Sequence, residues 1–172
     1  RHQGDDLAGF NLRMLVVELL ASRRRFANAR SELQAAEAEC SADVLAGGPA
    51  RDVRRLALAH LALAEGSADA AALLFGEALA SGLPAAGTVD ALLGRAAALE
   101  SAGAFEQAEA DARQALQRAQ RLQGGFPSSF LTGLAWLAVA RAHRRRGHAK
   151  QARDCAGAAL GYGGQRWLRQ GC

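Results

Sequence analysis

Arginine, histidine and cysteine are the side chains through which this chain could do chemistry, and their spacing narrows what that chemistry is. Three basic clusters stand out, Arg23 to Arg25, Arg51 to Arg55, and Arg141 to Arg146. On a helix Arg141 and Arg144 share a face, and their planar guanidinium forks suit a carboxylate or a phosphate. A run such as Arg144-Arg145-Arg146 equally suits a solvated helix end, where it complements the helix dipole. The four histidines, His2, His60, His143 and His148, are scattered. His143 and His148 straddle Gly147, but no carboxylate or cysteine sits at a ligand spacing beside them, so packed or solvated rings are expected and no metal. The three cysteines, Cys40, Cys155 and Cys172, form neither a metal nor a redox spacing. Cys155, among alanines, reads as a small apolar filler, and the cysteine usage points to a reducing, cytoplasmic compartment. No Gly-x-Ser-x-Gly, phosphate loop or paired dinucleotide glycines occur, and Gly161-Tyr162-Gly163-Gly164 precedes no helix that would hold a phosphate. The expectation is a non-enzyme with no catalytic residue and no cofactor.

The elements that must position those arginines are helices. Half of the 172 residues are apolar while only 5% are aromatic, so alanine and leucine supply the burial, which favours close-packed helices over a sheet and predicts an all-α fold. The balance of 21 basic against 17 acidic residues, net +4, permits an acidic partner without demanding one. Lys150 is the only lysine, a bias that a GC-rich genome explains as well as a binding surface does. No apolar run approaches the roughly 20 residues of a membrane span, and no signal-peptide layout opens the chain. Beginning at Arg1, the sequence reads as a segment of a longer protein.

One pattern recurs along it: Gly66, Ala71, Phe75, Ala78; then Gly103, Ala108, Ala112, Ala115; then Gly147, Ala152, Ala156, Ala159. A weaker copy, Arg24, Ala29, Leu33, Ala36, precedes them. A recurrence every 37 to 44 residues is the signature of stacked helical repeats, each unit burying its apolar face only against its neighbours. The three prolines, Pro49, Pro84 and Pro127, stand in glycine-bearing stretches between units. Four antiparallel helix pairs follow, over residues 5–41, 50–81, 88–123 and 128–161, within one domain of residues 1–164. Residues 165–172 form a tail, in which Trp167 and Leu168 are candidates for a partial cap. Leu7, Phe10, Met14, Val17 and Leu20 stripe the first helix, with Asp5 or Asp6 ahead as its cap; Thr88 is the cap expected for the third pair, Ser128 or Ser129 for the fourth.

These positions resemble the tetratricopeptide repeat, a helix-turn-helix unit that stacks into a right-handed superhelix. The fourth unit carries the resemblance best, with Trp136, Ala140, Gly147, Ala152 and Ala159; the third has Ala96, Gly103, Phe105, Ala108 and Ala115; the second has Ala59, Gly66, Ala71, Phe75 and Ala78. The first departs, with Arg24 for the turn glycine and Val17 for the small residue of its first helix. Longer units of this kind occur in arrays similar to those of the maltose-regulon activator and of bacterial signalling kinases.

The resemblance implies that the first helix of each pair lines a concave groove. Carried over residue by residue, it gives Asn11, Met14, Glu18, His60, Asp90, Leu93, Glu100, Leu137, Arg141, Arg144 and Arg145 as groove-facing. Apolar residues rimmed by charge suit a peptide or an amphipathic helix with an acidic end. The function implied is therefore a protein-interaction module of a regulatory or signalling protein. The lysines and asparagine of the family's carboxylate clamp are missing, which removes that particular partner. An effector-sensing or self-assembling domain of a maltose-activator-like regulator is the alternative. A nucleic-acid-binding array is a weaker third, since no aromatic residues interleave the basic clusters.

Overall fold

Alanine and leucine at helical spacing, broken by glycine at three of the four hand-overs, fold this chain into helices throughout the described part. The computed structural model describes residues 2–46, 48–124 and 129–163; the Gly-Phe-Pro connection at 125–127, Ser128 and the tail with Trp167, Leu168 and Cys172 lie outside them. Two compact units result, Arg1–Ser81 and Gly82–Cys172, where the sequence read as one continuous domain. None of the described helices is long and apolar enough to cross a membrane.

The first unit holds α1 (His2–Ser22), α2 (Phe26–Glu39), a short α3 (Ala42–Ala46), α4 (Gly48–Ala64) and α5 (Ala68–Ala80). The second holds α6 (Ala85–Ser101), α7 (Phe105–Gln123), α8 (Phe130–Arg145) and α9 (Ala149–Gly163). The paired helices thus fall where the sequence placed them, within a few residues. Three ends differ. Helix α1 begins at His2, so Asp5 and Asp6 lie inside it instead of capping it. Pro84 stands at the N-terminal cap of α6, which starts one turn before the cap expected at Thr88; the Thr88 hydroxyl donates back to the Leu83 and Pro84 carbonyls. Proline needs no backbone donor there and its φ is already near helical, which explains the earlier start. At α8 the Ser129 hydroxyl caps the Thr132 N–H, as expected of one of the two serines.

The four hand-overs share one turn. Arg24, Gly66, Gly103 and Gly147 all have positive φ, between 59° and 88°. In each, the next N–H donates five residues back, Arg25 to Leu20, Ser67 to Ala62, Ala104 to Leu99 and His148 to His143, at 2.8–2.9 Å. The turn residue itself donates to the carbonyl three before it: Ala21, Leu63, Glu100 and Arg144. This paired arrangement satisfies the last carbonyls of the incoming helix and aims the chain back along it. The first unit therefore makes the same turn with arginine that the others make with glycine.

The recurring small residues lie where helices cross. Ala29 and Ala36, Ala71 and Ala78, and Ala108, Ala112 and Ala115 are all buried. Side chains of this size let helix axes approach closely, and a larger one would push them apart. In the first unit Phe10, Met14, Val17 and Ala21 of α1 form the core with Ala29, Leu33 and Ala36 of α2 and Ala57 and Leu61 of α4. In the second, Ala96, Ala112, Ala138 and Val139 cluster, with Leu93, Leu116 and Cys155 packed on them, so α8 rests on the pair α6 and α7. Gly133 permits a close approach of α8 to the end of α9: a Cβ there would stand 3.3 Å from that of Tyr162.

Candidate partner-binding site

The expected groove residues of the first unit divide. Met14 is fully buried in the core and presents nothing to a partner, a correction to its reading as groove-facing. The reason is that α1 is apolar on two sides, and the side with Phe10, Met14 and Val17 faces inward. Asn11 is half-buried, with a buried side-chain oxygen that accepts no hydrogen bond. Glu18 and His60 do share an open cleft of about 500 Å³ with Leu15, Leu19 and Leu63. There the His60 ring meets the edge of Phe75 at 4.9 Å.

In the second unit, Asp90 and Leu93 are half-buried, and Leu93 is spent on the core cluster. Glu100 is held between two of the arginines expected to clamp a ligand: Arg145 at 2.9 Å and Arg141 at 3.5 Å. Arg146 reaches the second acid of α7's first turns, Glu109, which is only 6% exposed. Arg113 lies 2.6 Å from the same carboxylate and His143 3.8 Å. Burial alone would raise the Glu109 pKa, but the Arg146 hydrogen bond and the charges of Arg113 and His143 overcome it and hold the carboxyl below its usual value. Much of the basic run at 141–146 is therefore an inter-helix clamp.

The cluster from Arg51 to Arg55 is tied down in the same way. Arg54 pairs with Glu37, and Arg55 with Glu77 at 3.2 Å. Arg95 makes a two-pronged pair with Asp111 at 2.7 and 2.8 Å, joining α6 to α7. Guanidiniums so engaged are poorly placed to follow a phosphate backbone, which needs free cations along a track.

Among the arginines without an ion pair, two stand close together. Arg144 and Arg153 make no ion pair with any described residue. Both line an open groove of about 550 Å³ on one side of the α8–α9 pair, with Leu137, Ala140 and Arg141 of α8 and Ala149, Ala152 and Ala156 of α9. Leu137 is 41% exposed there. Ala152 and Ala156 are the repeat's recurring small positions, yet they are half-buried, while their counterparts Ala108 and Ala112 are buried under α8. The groove is thus a helix-crossing surface with no described helix laid across it.

Of the expected site residues, Leu137, Arg141 and Arg144 come together in this groove; Arg145 lies just outside it on Glu100. Arg153 was missed, as was the buried acid Glu109. Aligning the units by their turn residues finds both: Arg153 falls on Glu109, and Arg144 falls on Glu100.

Among the described residues, redox or metal chemistry finds no arrangement. Burial, followed by the charge of Asp154, raises the Cys155 thiol above its usual range, so it is neutral and packed. The His143 and His148 rings approach to 5.7 Å, but no group of three or more ligating side chains occurs among the described residues. Compared with known proteins, the chain matches no protein-family model, no curated protein and no solved structure.

Proposed function

We propose that this chain is a non-catalytic interaction module that receives an α-helix of a protein partner in the α8–α9 groove, with acidic side chains of that helix meeting Arg144 and Arg153. The observation that carries the reading is the groove itself: an alanine floor, Leu137 at its side, and two guanidiniums without an ion partner among the described residues. Alanine floors admit a helix at close range, and exposed apolar surface rimmed by charge is the usual form of such a site. The chain supplies its own template for the fit. One unit earlier, α8 lies across the equivalent surface of α6 and α7, and its Arg141, Arg145 and Arg146 meet Glu100 and Glu109. With Arg144 and Arg153 in place of those acids, acids where α8 carries arginines favour a helix in this groove. The tetratricopeptide-like register and the shared turn support the same reading, since such repeats serve as docking scaffolds.

A peptide of residues 130–146 bearing R141E, R145E and R146E is the probe, titrated against the chain by fluorescence anisotropy. It is expected to bind, to bind about tenfold less tightly to R144E and to R153E, and to lose affinity as salt rises. The unmodified peptide, basic at those positions, is expected to bind more weakly than the acidic one. Equal affinity for both peptides, or no change on either substitution, overturns the reading.

A further inference from the structure

The face that fits this groove is present in the chain itself. Aligning α1 with α8 by their turn residues, Arg24 on Gly147, places Leu12, Leu15, Val16 and Leu19 on Ala135, Ala138, Val139 and Ala142. In α8 those four are at most 4% exposed. In α1 leucine stands in place of the three alanines and valine matches valine, and these four are 64%, 59%, 37% and 52% exposed. The two halves of a helix-on-pair joint are thus both open: the crossing face of a first helix at α1 and the receiving surface at α8–α9.

Resting on the reading of the groove given above, we propose that its occupant is α1 of a second copy of this chain, so that copies join head to tail. Size supports the match. The inner joint sets small alanines against a receiving surface that includes Phe105; the open groove has Ala149 in that place, leaving room for leucines. Charge supports it at one pair and opposes it at another. Glu18 takes the register of Arg141, and Arg144 that of Glu100, so the inner Arg141–Glu100 pair recurs with its signs exchanged. Arg23 takes the register of Arg146, and Arg153 that of Glu109, which puts like charges where the inner joint has a buried ion pair. A head-to-tail contact uses different surfaces on its two sides, so each copy can take one neighbour at each end and association rises with concentration.

The opposed charge pairs give the test its sign. Sedimentation velocity over a concentration series should show wild-type chain associating reversibly. R144E is expected to weaken association about tenfold and R153E to strengthen it about threefold, by turning the Arg23 repulsion into attraction. For an acidic peptide in the same groove both changes weaken binding, so R153E alone separates a second copy from another acidic partner. L15E lies on an exposed position and should abolish self-association without loss of helicity by circular dichroism. A mixture of L15E with R144E, each retaining one sound end, should give dimers and nothing larger. A sedimentation coefficient independent of concentration overturns the proposal, as does association that R144E and L15E leave unchanged. If the acidic peptide still binds in that case, the groove reading stands and only the occupant is wrong; if it also fails to bind, both fall.

Discussion

Arg24 occupies a backbone conformation that three glycines occupy at the equivalent turns, and replacing it should stabilise the first unit. At φ 59° an L side chain other than glycine crowds the following carbonyl, at a cost of about 1–2 kcal/mol. Glycine removes that cost but leaves the unfolded chain freer, which returns about 0.4–1 kcal/mol of it. The Arg24 side chain is exposed and makes no ion pair with a described residue, so little else is lost. The net expectation for R24G is a gain of about 0.7 kcal/mol. For a unit of this size that corresponds to a rise in Tm of about 3–5 °C. Thermal unfolding followed by far-ultraviolet circular dichroism measures it. G66R serves as the mirror experiment: a Cβ added at Gly66 meets nothing within 4 Å, so the substitution reports backbone cost alone and should lower Tm by a similar amount. An unchanged or lower Tm for R24G, with the expected loss for G66R, would mean that Arg24 makes a compensating contact and that the shared turn is not what limits this unit.

Two further outcomes follow from the packing of the second unit. The Glu109 carboxyl has a folded pKa below its usual 4.5, so its contribution is fully present above that value and is lost as pH falls through the lower folded pKa. E109Q should therefore cost about 1–3 kcal/mol at neutral pH and progressively less in acid, giving a flatter dependence of urea midpoint on pH below 4.5 than wild type. A112L and A156L place leucine at the same repeat position with opposite consequences. Ala112 is buried under α8, so leucine there should cost about 1–3 kcal/mol, whereas Ala156 lines the open groove, so leucine there should leave Tm nearly unchanged and block the acidic peptide.

Much of this architecture was legible because its signals are local. The glycines at 66, 103 and 147 mark turns that need positive φ, and the alanines after them mark crossings, so helix bounds follow within a few residues. Arg24 could be aligned with those glycines but not shown to adopt their conformation, since arginine does so only when the surrounding bonds enforce it. Thr88 misled because a hydroxyl is a good cap, yet Pro84 starts the helix a turn sooner. Met14 misled because α1 carries two apolar stripes, and periodicity alone does not say which one is covered. The ion pairs were the least legible. Arg141 and Arg145 read as a ligand clamp because their partner, Glu100, lies 45 residues from Arg145 along the chain.

The repeat separates what folds the chain from what distinguishes its surfaces. Alanines at the crossings are the same in the inner joint and in the open groove, so they set how near a helix can come but not which helix comes. Selection is left to the few side chains that differ at equivalent positions. Glu100 and Glu109 on the inner surface accept the arginines of α8. Arg144 and Arg153, on the outer one, would repel that same helix. A stack built from identical charges could add any unit at any place, whereas this exchange of sign lets α8 recognise only the surface beneath it. On the function proposed above, the groove that α8 and α9 present would disfavour basic helices and favour an acidic one, through two residues in a backbone that did not change.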